Sequence, residues 1–325
     1  MSGFCIIIFR RILLGRAEDE LELHERRMEN LLGDLDRLIP FFEAKTVTDI
    51  YIYDGGNVCI KEFGKKAYES GITLTSAERM RIINSLSSVV DIPIDKWTRP
   101  TLESIIPKYN IRTTAIISPW LSSPQITFRR PADKIFTLEE YLEQDRISRE
   151  LYDKIIFHLK SESNIVISGS TGSGKTTFSN ACLEKLQEID PDQRMYIIED
   201  TYELQSRNPY KTQLYIRKEQ AVVAIQTALR WTPKYIIFGE VRSGDVAVEL
   251  LEAWNTGHSG FTTIHANNSA STIPRIEGLL RQIIKGQLPD IANSIHLIVH
   301  LSNMPGFGPV VDEALTVREI QEGKK

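Results

Sequence analysis

The chain has 325 residues, 42% hydrophobic and 25% charged, with a formal net charge of -4. That length suits about two domains, and the ordinary globular composition excludes a fibrous or low-complexity chain. The slight acidic excess gives no global basic field, so no strong nucleic-acid binding is expected.

Residues 4–9, Phe-Cys-Ile-Ile-Ile-Phe, are apolar but too short to span a bilayer. Arg10 and Arg11 follow them, whereas a signal peptide carries its positive charge in front, so neither an export signal nor a transmembrane helix is expected. Met28 is an alternative start of translation. Cys5, Cys59 and Cys182 are widely spaced and form no C-x-x-C pair, which argues for a reducing compartment and against a zinc site. His24, Met28, Leu31, Leu35 and Leu38 recur at four- and three-residue steps, one stripe of a charged helix that Pro40 should end. Residues 1–39 therefore read as a helical arm. Residues 47–53 alternate as a strand, 54–57 turn, and 58–63 return, which makes a hairpin. Ser76 is placed to cap a helix over 77–90, and strands are expected near 102–106, 111–117 and 125–128. Residues 40–130 thus read as a small α+β domain, and 131–136 as a linker.

Residues 137–325 alternate strands and helices, with apolar runs near 164–168, 195–198, 214–216, 235–238, 260–264 and 296–301. That alternation predicts a mostly parallel sheet covered on both faces. Residues 169–176 read Gly-Ser-Thr-Gly-Ser-Gly-Lys-Thr and fit G-x-x-x-x-G-K-[ST], between a β-branched run and a helical one. In that context the backbone of Gly169, Ser170, Thr171, Gly172, Ser173, Gly174 and Thr177 wraps phosphate oxygens at a helix N-terminus. Lys175 reaches the β- and γ-phosphates and the Thr176 hydroxyl ligates Mg²⁺. The chain is expected to bind a nucleotide.

Glu240 ends the apolar run 235–238 and Gly239. A carboxylate at the carboxyl end of such a strand can orient or deprotonate an attacking water. Glu199 and Asp200 end the run 195–198; adjacent acids on an extended chain point to opposite sides. Glu199 is expected to face the metal or the water, with Asp200 in support. Glu199 and Glu240 stand as alternative bases. His258 and His265 bracket a strand of small residues, with His265 placed to touch the γ-phosphate or Glu240. Arg112, Arg129, Arg130, Arg230 and Arg242 are candidates for stabilising phosphoryl charge.

Taken in order, the phosphate loop, Ile198-Glu199-Asp200-Thr201, the 233–242 strand and the histidine segment resemble the secretion ATPases of type II and type IV systems. Arg129-Arg130-Pro131 with 135–141, and 253–258 with Ile264-His265-Ala266-Asn267-Asn268, are most similar to conjugal transfer ATPases of the TrbB type. The resemblance implies an α/β fold with a PAS-like N-terminal α+β domain followed by a RecA-like P-loop ATPase domain. It implies a homo-hexamer with ATP and Mg²⁺ lodged between the two domains. Lys175 and Thr176 match its phosphate and metal residues, Glu199 and Asp200 its acidic box, and Glu240 its second Walker-type strand. His265 matches its histidine box, and Arg112 and Arg129 match first-domain arginines that approach the nucleotide. The implied activity is hydrolysis of ATP to ADP and phosphate, driving conjugative or type IV secretion transfer or pilus biogenesis. The implied location is the inner face of the cell membrane, peripherally attached to channel subunits. Two other readings are a type IV pilus or type II secretion motor, and a nucleotide-gated scaffold without turnover.

Overall fold

The computed structural model describes residues 21–62, 65–130, 135–201, 203–304 and 307–323. The apolar segment 4–9 and positions 131–134 of the expected linker lie outside the described residues. The chain divides into two compact units, Met1–Asp133 and Lys134–Lys325.

In the first unit the two-residue period of apolar side chains builds one antiparallel sheet. Its strands are β1 (Val47–Ile52), β2 (Asn57–Glu62), β3 (Tyr68–Thr73), β4 (Thr101–Ile106), β5 (Ile111–Ile116) and β6 (Gln125–Arg129), in the order β3-β2-β1-β6-β5-β4. β5 alternates buried and open positions along its whole length. A core of Leu31, Leu35, Phe42, Ile82, Leu86 and Phe128 joins the sheet to helices α1 (21–34), α2 (Ile39–Glu43) and α3 (Ser76–Val89). Pro40 does not end the arm helix. α1 stops at a turn over 35–38, and Pro40 opens α2, where its missing N–H lacks a helical partner anyway. The cap of α3 is Thr75 rather than Ser76. Its hydroxyl accepts from Glu78 N while the Glu78 carboxylate accepts from Thr75 N, a reciprocal box.

In the second unit seven strands lie in the order β13-β12-β7-β11-β10-β8-β9. They are β7 (Ile165–Gly169), β8 (Met195–Glu199), β9 (Lys211–Tyr215), β10 (Tyr235–Glu240), β11 (Phe261–Ile264), β12 (Leu297–Met304) and β13 (Gly308–Thr316). All neighbours run parallel except β12 and β13. Side-chain alternation splits the interior into two cores. Ile165, Ile167, Met195, Ile197, Tyr235 and Ile237 face α4 (Leu138–Glu143), α5 (Arg149–Lys160) and α6 (Lys175–Ile189). Val166, Tyr196, Ile198, Ile236 and Phe238 face α7 (Ala221–Trp231), α8 (Gly244–Asn255) and α9 (Ser269–Ile283). Strands buried on both faces read as unbroken apolar runs, which is why the sequence locates the central ones. The short α10 (Val317–Gln321) follows β13. Among the described residues no helix is long and apolar enough to cross a membrane.

Candidate active site

The parallel sheet delivers the chemistry to one edge. β7 ends at Gly169 and runs into the phosphate loop; β8 ends at Glu199, β10 at Glu240, and His265 follows the last residue of β11. Four neighbouring strands therefore release their functional residues at their carboxyl ends, where open α/β sheets bind ligands.

The loop needs its glycines for two separate reasons. Gly174 caps α6 at φ 86°, and a Cβ there would stand 2.6 Å from Pro309 Cβ. At Gly169 a Cβ would meet Ser173 Oγ at 2.3 Å and the Leu301 carbonyl at 2.5 Å. No side chain caps α6, so its first N–H groups face the loop. The hairpin of β12 and β13 backs the loop, with Asn303 Nδ2 donating to the Gly172 carbonyl at 3.4 Å. The Lys175 ammonium donates to the carbonyls of Gly169 at 3.0 Å and Ser170 at 2.9 Å. Burial lowers its pKa, an effect that the nearby Glu240 charge opposes and Arg242 reinforces.

A polar chain crosses the site. His265 Nδ1 lies 3.3 Å from Lys175 Nζ, and His265 Nε2 lies 2.9 Å from Glu240 Oε1. With Lys175 as a donor, Nδ1 accepts and Nε2–H donates to Glu240, which sets the tautomer. Arg242 Nη2 donates to Glu240 Oε2 at 2.8 Å, and its Nη1 pairs with Asp200. The hydrogen bond to Glu240, helped by the Asp200 charge, raises the Arg242 pKa against the effect of burial. Asp200 is thus tied to Glu240 through one guanidinium.

Glu199 is not where the sequence suggested. It is only 2% exposed and accepts from Glu203 N at 2.9 Å, Leu204 N at 2.7 Å and Gln213 Nε2 at 2.9 Å. Burial pushes its carboxyl up to about 7, against the pull of those three donors. The acid that meets Thr176 is Glu203, whose Oε2 accepts the Thr176 hydroxyl at 3.0 Å. Sequence reading missed Glu203. It lies four residues beyond Glu199 in the loop leaving the acidic strand end, a position that no spacing rule singles out.

The remaining candidates lie elsewhere. His258 Nδ1 donates to the Ala253 carbonyl at 3.0 Å, holding the end of α8. Arg230 lies in the last turn of α7. Arg112 and Arg129 face each other across β5 and β6 in the first unit, and Arg129 Nε is 2.9 Å from Asp49 Oδ1. Arg130 donates to the carbonyls of Phe42 and Val47, so it is engaged in holding its own unit.

The donor set fits a nucleotide and a hard cation. The Thr176 hydroxyl and the Glu203 carboxylate are oxygen donors of the kind Mg²⁺ takes. Among the described residues no group of three or more His, Cys, Asp or Glu could hold a metal. Mg²⁺ commonly uses one or two protein oxygens and completes its shell with phosphates and water, so the two donors suffice.

A phosphate loop at the mouth of a parallel sheet, with acids at the ends of β10 and β8, defines a RecA-like P-loop nucleotide-binding domain, here following a PAS-like α+β domain along the chain. The chain belongs to the type II/IV secretion system protein family, whose profile matches residues 78–304. It is 32% identical over 302 residues to the conjugal transfer protein TrbB of Rhizobium radiobacter, covering 92% of each chain. It shares its fold with the pilus retraction motor PilT solved with bound ADP, at a TM-score of 0.67 and 20% identity, over 89% of this chain and 86% of that one. The ATPase DotB of Legionella pneumophila matches in fold at a TM-score of 0.65 and 22% identity, over 89% of this chain and 82% of that one.

Proposed function

We propose that this chain is the Mg-ATP-hydrolysing motor subunit of a conjugative or type IV secretion system. It works as a ring of six copies at the inner face of the cell membrane, attached to channel subunits of the system. The observation that carries the hydrolytic part is the line Lys175–His265–Glu240, with Thr176 and Glu203 beside it. The transport part rests on family membership and on the likeness to TrbB over nearly the whole chain.

In the proposed reaction, water attacks the γ-phosphorus in line; the new O–P bond forms as the bond to the β-phosphate oxygen breaks, giving ADP and phosphate. Lys175 exchanges its loop carbonyls for β- and γ-phosphate oxygens. Thr176 and Glu203 would hold the cation, which when bound neutralises charge on those oxygens. Glu240 orients the water and accepts its proton, aimed by His265 on one oxygen and Arg242 on the other. Arg112 and Arg129 are assigned to the nucleotide through the family resemblance, as stabilisers of transition-state charge. The test is phosphate release alongside binding of a fluorescent ATP analogue. Lys175→Ala should abolish release, and Glu240→Gln should keep ATP affinity while release falls about a hundredfold or more. Near-normal release by Glu240→Gln would remove Glu240 from the base role.

A further inference from the structure

We infer that Glu199 is a positioning residue and not a proton acceptor: with Asn180 it clamps the turn that aims Glu203 at Thr176. The inference rests on reading this site as that of a metal-dependent ATPase. Both backbone polar groups of Glu203 are held by buried side chains. Its N–H donates to Glu199 Oε1 at 2.9 Å, and its carbonyl accepts from Asn180 Nδ2 at 3.0 Å. Leu204 is held the same way, its N–H by Glu199 Oε1 at 2.7 Å and its carbonyl by Gln213 Nε2 at 2.8 Å. Gln205 N then donates to Asn180 Oδ1 at 2.7 Å. Three successive residues are thus fixed, and the Glu203 side chain is left to meet the Thr176 hydroxyl.

The clamp is referenced to the phosphate loop itself. Asn180 lies four residues after Thr176 on α6, one turn along the same face. Gln187 continues that face two turns further on, its Oε1 accepting from Arg207 N at 2.7 Å and Asn208 N at 2.6 Å. The helix that opens at the phosphates therefore sets the register of the whole acidic turn. Glu199 supplies the opposite jaw from the end of β8. Its 2% exposure and its three donors suit an acceptor for backbone N–H groups and leave a substrate water little access. Burying a carboxylate is costly unless its hydrogen bonds are made, and here each one ties down the turn.

The two roles separate on substitution. In Glu199→Gln an amide oxygen still accepts from Glu203 N and Leu204 N. The new amide N–H faces Gln213 Nε2, so that contact survives only if the Gln213 amide turns over to present its unpartnered Oε1, at the cost of its bond to the Leu204 carbonyl. Both backbone N–H bonds of the clamp are kept either way. A glutamine cannot take a proton, so a base would be lost where a clamp is kept. We would measure kcat and KM for ATP on the full chain, with folding checked by circular dichroism. Glu199→Gln should stay within about threefold of the parent kcat. Glu199→Ala and Asn180→Ala should each lose about tenfold or more in kcat. The double variant Glu199→Ala/Glu203→Gln should match Glu203→Gln alone, because the clamp acts only through Glu203.

Loss of activity in Glu199→Gln as deep as in Glu199→Ala would overturn the inference, as would parent kcat in Glu199→Ala or additive losses in the double variant. If Glu199→Ala does not fold, Asn180→Ala carries the same expectation, and a parent-like kcat there overturns it. If the parent chain shows no turnover, the hydrolase reading fails, and the clamp is read from binding instead. The Mg²⁺-dependent part of ATP-analogue affinity should then shrink in Asn180→Ala and persist in Glu199→Gln; the reverse pattern rejects the clamp.

Discussion

Two glutamates of the second unit sit at opposite ends of the acidity range for physical reasons visible in their surroundings. At Glu199, burial outweighs three donors and lifts the carboxyl to about 7. At Glu319 burial also pushes upward, but hydrogen bonds from Lys154 and Thr316 overwhelm it and hold the group at about 2. Lys154 Nζ lies 2.8 Å from Glu319 Oε2, and Thr316 N donates to the same oxygen at 2.6 Å, so one carboxylate joins α5 to the cap of α10. A depressed acid stabilises the fold above its unfolded value, and that contribution is lost as pH falls through the folded value. The melting-temperature gap between the parent and Glu319→Gln should therefore be open at pH 6, narrow below about 4.5 and close near about 2. A gap that stays constant over that range would mean the ion pair contributes nothing. The same contrast explains what could be read from the chain at this scale. Lys175, Thr176, Glu240 and His265 follow motifs whose residue types are dictated by chemistry, and the structure brings all four together. Glu203 sits in a turn whose path is set by Asn180 and Glu199 from distant elements, and no local spacing rule reports that.

At the scale of elements, the buried parallel strands were legible, and of the four edge strands β4 and β9 were found while β3 and β13 were not. β7, β8 and β10 are shielded on both faces and so carry continuous apolar runs. β13 was missed because it is an antiparallel edge strand opened by Gly308-Pro309, with Asp312 and Glu313 among its apolar residues. β3 is largely exposed and lacks an apolar face to betray it. α5 was legible, with Leu151, Ile155 and Leu159 at four-residue steps behind the Ser148 cap, but the sequence reading passed it over. The cost of missing β13 was functional, since its Pro309 packs where the Gly174 side chain would be. Gly174→Ala must therefore either displace β13 or leave the left-handed region at the start of α6. ATP-analogue affinity should fall by about tenfold or more, with the far-ultraviolet dichroism unchanged. Parent affinity in that variant would show that the loop does not need this conformation.

For the whole molecule, family membership and the RecA-like unit agree on a nucleotide-driven machine, and the proposal adds that it works as a ring. The first unit bears on this through Arg112 and Arg129, paired across β5 and β6 with side chains turned from its core. If the residues that stabilise transition-state charge are in place only in the assembled ring, a dilute chain binds nucleotide but hydrolyses it slowly. The direct test is Mg-ATP turnover per subunit against protein concentration, with Lys175→Ala as the control. The account predicts turnover that climbs steeply as subunits associate, then levels off, and is absent throughout in the variant. Turnover that is independent of concentration, or equal in parent and Lys175→Ala, would contradict it.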